Sequence, residues 1–178
     1  RSPARLFDPS WVKDPYRDTV ATVMHPDSPE ARVELFKATA SPWAQQLANR
    51  LAAVPVDLSV INLIQQELLP QVKPVHVAEV YSSGLLEPQQ ASSDSNDSVR
   101  YNFVDGVRSV LNKSTPKDQT LEVIEALSQR IARTLGFEIR SFTALLIPKS
   151  DWSQEVRDAI LPFAQITTEV LHRLGGDY

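Results

Sequence analysis

The chain has no cysteine. Disulfides, thiolate nucleophiles and zinc-thiolate sites are therefore excluded, and a reducing compartment, the cytoplasm by default, is permitted. Glycine is scarce, five in 178 residues, and the five are dispersed. They cannot build a glycine-rich phosphate loop, and no Gly-x-Ser-x-Gly nucleophile elbow occurs. No apolar run approaches the roughly 20 residues that a membrane-spanning helix needs, and no secretory signal precedes the body of the chain. An excess of cations is also missing: the formal net charge of -4 leaves no overall field to attract phosphate backbones. The first residue is Arg1 rather than Met, which reads as a piece excised from something larger.

What is present is ordinary globular composition, 42% hydrophobic and 22% charged, in a length sufficient for one good core or two small ones. The stretch from Ser41 to Asn112 carries the clearest pattern. After Ser41 and Pro42, a cap and first-turn pair, Trp43, Leu47, Leu51 and Val54 fall at helical spacing, and Pro55 is expected to end that helix. Asp57 then caps a second helix, with Leu58, Ile61, Ile64, Leu68 and Leu69 on one stripe and Pro70 at its close. Pro74 opens a third, Val75 to Tyr81, and Gly84 stands where a left-handed stop is needed. Leu85 and Leu86 begin a strand, Gln89 to Ser98 is too polar to pack, and Val99, Tyr101 and Phe103 alternate as a returning strand does. Helix, helix, helix and a hairpin in that order resemble a winged helix.

The flanks are less regular. Residues 1–40 read as a proline-rich, docked lead-in containing Trp11 and Tyr16, followed by a linking helix that Ser28 and Pro29 start. Val104, Val107, Val110 and Leu111 predict a short helix despite Gly106. Residues 114–178 read as a C-terminal helical subdomain. In it Thr115 and Pro116, with Asp118 as a capping-box-like carboxylate, begin a long stripe from Leu121 to Leu135 that stops at Gly136. Strand and helix are both open for 137–147. Asp151 caps a segment through Ile160, Pro162 interrupts, and Phe163 to Leu174 form a last helix. The expected fold is mainly α: a winged-helix core over 41–113 with a short β-hairpin wing, packed on the C-terminal helical subdomain.

The chemistry is sparse. His25, His76 and His172 lie in three different elements with no second ligand at metal-binding spacing. His76 has Glu79 one helical turn on, a general-base pair in principle and more commonly two polar neighbours on a solvent face. Glu67, Glu79 and Glu87 are not spaced to share a cleft. A winged helix would ordinarily put its third helix in the major groove. Val75 to Ser83 offers no Arg or Lys, only Lys73 precedes it, and Asp94 and Asp97 in the loop oppose a phosphate backbone. The outward side of this helix and its flanks, Lys73, His76, Glu79, Tyr81 and Ser83, is the candidate protein-binding surface. No cofactor, metal or catalytic residue is indicated, and nucleic acid and membrane are not the expected partners.

Ser41-Pro42, Leu47-Ala48, Leu51 to Pro55, Pro74 to Val80, Gly84 to Leu86, Tyr101 to Phe103, Gly106 to Arg108 and Glu169 to Gly176 together resemble an uncharacterised region of large bacterial multidomain proteins. These have the signal-transducing (STAND) NTPase-like architecture of conflict systems. The resemblance covers about Arg32 to Tyr178. It implies a module that often precedes an effector or a domain like the formylglycine-generating enzyme, and that contacts neighbouring domains of the same polypeptide or an associated protein. The expected function is a non-catalytic regulatory or scaffolding module. The alternatives are a DNA-binding winged helix and a small hydrolase with an unrecognised site around His76 and Glu79.

Overall fold

The computed structural model of the chain describes residues 26–89, 100–136 and 152–175. The arm that holds Trp11, Tyr16 and His25, the loop with Asp94 and Asp97, the stretch 137–147 and Asp151 lie outside the described residues. The described chain is mainly helical with one small antiparallel sheet. Its first helix, α1, spans Pro29–Thr39, with Ser28 Oγ accepting from Ala31 N–H at 3.1 Å and proline at the first turn. It buries Val33 and Phe36. Helix α2, Pro42–Leu51, repeats that start with Ser41 as its cap. Gln45, on its first turn, donates to the carbonyls of Lys37 and Ala40 and so closes the end of α1.

Helix α2 stops at Leu51, a turn earlier than Pro55 suggests. The carbonyls of Leu51, Ala52 and Val54 accept from Arg108 instead of from further helical amides, and Ala52 also accepts from Asn112 Nδ2. Side chains from later in the chain thus supply the donors that a helix C-terminus lacks. Helix α3, Leu58–Leu63, is capped by Asp57 and runs into a π turn, Ile64–Leu68. Leu69 N–H reaches Ile64 O at 2.7 Å across that wide turn, which keeps both Ile64 and Leu69 in the core.

Helix α4, Pro74–Ser82, packs on α2, whose inward Ala44 and Ala48 are small enough to admit it. Gly84 then takes φ 76°, the left-handed stop expected of it. Strands β1, Leu86–Gln89, and β2, Arg100–Phe103, pair antiparallel with Leu86 opposite Phe103. Both of those side chains are buried.

Three local expectations are corrected. The short helix forms as expected, but Gly106 precedes it and does not lie within it: at φ 79° it is the residue on which α5, Val107–Ser114, begins. A side chain there would also collide with Pro29, whose Cγ lies 2.6 Å from where a Cβ would be. Thr115 does not cap the helix that follows, because its hydroxyl is buried and donates back to Leu111 O at 2.8 Å, finishing α5. Helix α6, Lys117–Leu135, has Pro116 at its cap position with no side-chain cap bond, and ends on left-handed Gly136.

Finally, Pro162 does not divide the last helix. Helix α7, Gln154–Arg173, is continuous through it and is capped by Ser153. An internal proline costs about 3 kcal/mol. Burying Ile160, Phe163, Val170 and Leu171 on both sides of it returns about 1.5–3 kcal/mol each, so packing wins over the local break. Lys117 Nζ donates to Leu174 O at 3.1 Å, setting α6 and α7 antiparallel. Buried side chains of the seven helices among the described residues form one hydrophobic cluster, from Val33 and Leu47 through Ile124 and Phe163 to Leu171.

Candidate interaction surface

Helix α4 carries most of the side chains singled out from the sequence. Lys73 is exposed immediately before it, and its backbone N–H donates to His76 Nδ1 at 2.9 Å. The imidazole therefore acts as a cap for the first turn, a role that requires Nδ1 to be unprotonated. Glu79 accepts from the backbone N–H of Ser41 at 2.7 Å. That bond holds its carboxyl below the ordinary carboxylate range. The carboxylate lies at the start of α2, where the helix dipole favours a negative charge.

The Tyr81 ring meets Tyr101 edge-on, centroids 4.8 Å apart at 87°, and so ties α4 to β2. Burial raises the Tyr81 phenol above its usual value, followed by Tyr101 and Asp57. Ser83 accepts from Leu85 N–H at 3.2 Å and donates to Val80 O, which shapes the turn into the hairpin. His76, Glu79, Tyr81 and Ser83 are thus half-buried, each with an internal partner, and Lys73 stands exposed before the helix.

The outward face is made of other residues. Val75 is 58% exposed, and Pro74, Ala78 and Ser82 are exposed with it. On a 3.6-residue helix all four lie more than a quarter-turn from the buried Val80. None of them carries a charge.

A second feature has no local sequence signature. A groove of about 490 Å³ lies where Pro55 to Asp57, strand β2, α6 and α7 converge. Its floor includes Val56, Leu127, Ile131, Phe163 and Ile166, and Asp57, Arg100 and Asp158 carry its charge. Val60 of α3 and Gln89 of β1 join its walls, which draw on the chain from Pro55 to Ile166.

Among the described residues no group of His, Cys, Asp and Glu is arranged to hold a metal ion. His172 is exposed on α7, away from His76 in sequence and element. No described helix is long and apolar enough to cross a membrane. No protein-family model, curated protein or solved structure matches this chain.

Proposed function

We propose that the chain is a non-catalytic regulatory or scaffolding module that works through protein contacts, with α4 presenting the contact face. The observation that carries this reading is the outward side of α4: an exposed valine with alanine, proline and serine around it, and no charge. Such a face suits close protein packing, whereas phosphate contact calls for Arg or Lys. Lys73 borders the face, and the internal bonds of His76, Glu79, Tyr81 and Ser83 hold α4 in place.

The order α2, α3, α4, β1, β2 supports a winged-helix reading of residues 41–113, with β1 and β2 as the wing. The resemblance to conflict-system proteins of the STAND NTPase-like type supplies the context: a cytoplasmic module contacting neighbouring domains of its own polypeptide or an associated protein. The test is cross-linking in the cells that make the protein, comparing wild type with Val75→Glu plus Ala78→Arg, both exposed positions. Loss of the cross-linked species is expected. Unchanged cross-links would remove this face, and tight, salt-sensitive binding to duplex DNA would favour the nucleic-acid reading instead. A catalytic activity abolished by His76→Ala would favour the hydrolase reading.

A further inference from the structure

Among the described residues the hairpin has an open edge. Val104 N–H donates to Leu85 O at 2.9 Å, and the register continues Leu86 with Phe103, Glu87 with Asn102 and Pro88 with Tyr101. Bonded and non-bonded pairs alternate along an antiparallel ladder. Glu87 and Asn102 therefore exchange their main-chain bonds, and the main-chain groups of Tyr101 and Phe103 point away from β1. Pro88 agrees with this, since it stands where no ladder N–H is needed. The outward N–H of Phe103 is already taken by Asn102 Oδ1 at 2.9 Å. The N–H and C=O of Tyr101 have no third strand to pair with among the described residues.

We propose that the groove beside this edge takes an extended peptide of a partner protein, which adds to β2 as a third strand and carries a basic side chain. The proposal rests on the interaction-module reading and narrows its partner. Two main-chain hydrogen bonds at Tyr101 set the register of the incoming strand. Its side chains on one face descend onto Val56, Ile131 and Phe163, which line the groove. Asp57 and Asp158 against Arg100 leave the described lining with net negative charge, so a lysine or arginine on the peptide is complementary. Main-chain pairing supplies affinity in this mode, and the pocket and its charges supply selectivity.

The probe is a capped pentapeptide of alternating threonine and valine with a central lysine, titrated into the isotope-labelled chain and followed by NMR. Shifts are expected at Tyr101 and at the side chains of Val56, Ile131 and Phe163. N-methylating the peptide's valine amides removes its strand donors and weakens binding about tenfold. Replacing the lysine with glutamate weakens it at low salt, with the difference closing at high salt. Gln165→Arg, an exposed change on the groove wall, weakens the lysine peptide, and Ile131→Glu provides an independent block of the floor. Equal affinity for the N-methylated peptide, shifts elsewhere on the chain, or no binding of the probe would overturn the proposal. So would a concentration-dependent dimer that the peptide dissolves, which gives the edge to a second copy. If Gln165→Arg abolishes peptide binding while cellular cross-links through α4 persist, the groove is not that partner's site and the interaction-module reading stands.

Discussion

Two arginines emerge from the core with opposite fates. Arg108, on α5, spreads its guanidinium over the carbonyls of Leu51, Ala52 and Val54, reaches Asn102 Oδ1 at 3.0 Å, and lies 5.0 Å from the centre of the Phe103 ring. Arg50, on α2, is more deeply buried, with 8% of its side chain exposed. It has one long contact, 3.4 Å to Glu122, whose own side chain is 51% exposed. Among the described residues its Nε and Nη1 have no hydrogen-bond partner. A buried cation stabilises only when its donors are used. The junction of α2, α5 and the hairpin is therefore locked by its charge, whereas the junction of α2 and α6 holds together by packing despite its charge.

The sharpest way to break this contrast is Arg108→Ala. It strips three main-chain carbonyls and Asn102 of a charged donor, and a loss of about 3 kcal/mol in unfolding free energy is expected, read from the denaturant midpoint. Arg108→Lys recovers only part of it, because an ammonium lacks the planar fork that serves several acceptors at once. Arg50→Met tests the other side. Removing an under-used buried cation for an apolar side chain of similar length is expected to be neutral or to raise stability by about 1 kcal/mol, and a large loss would show that Arg50 is better satisfied than its geometry indicates. Glu122→Gln is milder, about 0.5 kcal/mol at most, since its carboxylate is half in solvent and screened.

The smallest effect is expected at Glu79, where the sign can be worked out. Its carboxyl is lowered from 4.5 in the folded chain by the Ser41 N–H bond. It therefore adds stability above the unfolded value, and that stability fades as pH falls through the folded value. Urea midpoints measured on either side of pH 4.5 should show a decline on the acid side that is shallower in Glu79→Gln. An identical decline in the variant would remove Glu79 as its source.

Local signals in the sequence were sound wherever the physics is local. Ser28, Ser41 and Asp57 cap the helices they precede, Gly84 and Gly136 take the left-handed stops, and Leu86 pairs with Phe103 across the hairpin. Thr115 with Pro116 does mark the start of α6, although the Thr115 hydroxyl turns back to Leu111 and does not cap it. Larger differences arise where distant packing decides. Pro162 reads as a break, yet packing on both sides carries the helix through it. On α4 the polar or amphipathic His76, Glu79 and Tyr81 are half-buried and internally bonded, whereas Val75, Ala78 and Ser82 are the exposed positions. The groove and the role of Arg108 could not be read at all, because no short-range pattern announces contacts between residues more than 50 positions apart.

The capping of α2 also has a consequence in time. The carbonyls at its end wait for Arg108 and Asn112, 54 to 60 residues further along the chain. During synthesis α2, α3 and α4 leave the ribosome before the donors that finish α2 exist, so its last turn frays until α5 has docked. Contacts of such long sequence separation form late, after loop-closure entropy has been met by other interactions. Arg108→Ala should accordingly speed unfolding while leaving the refolding rate nearly unchanged, which places the closing of α2 after the rate-limiting step and makes α5 the clasp that completes a partly built domain.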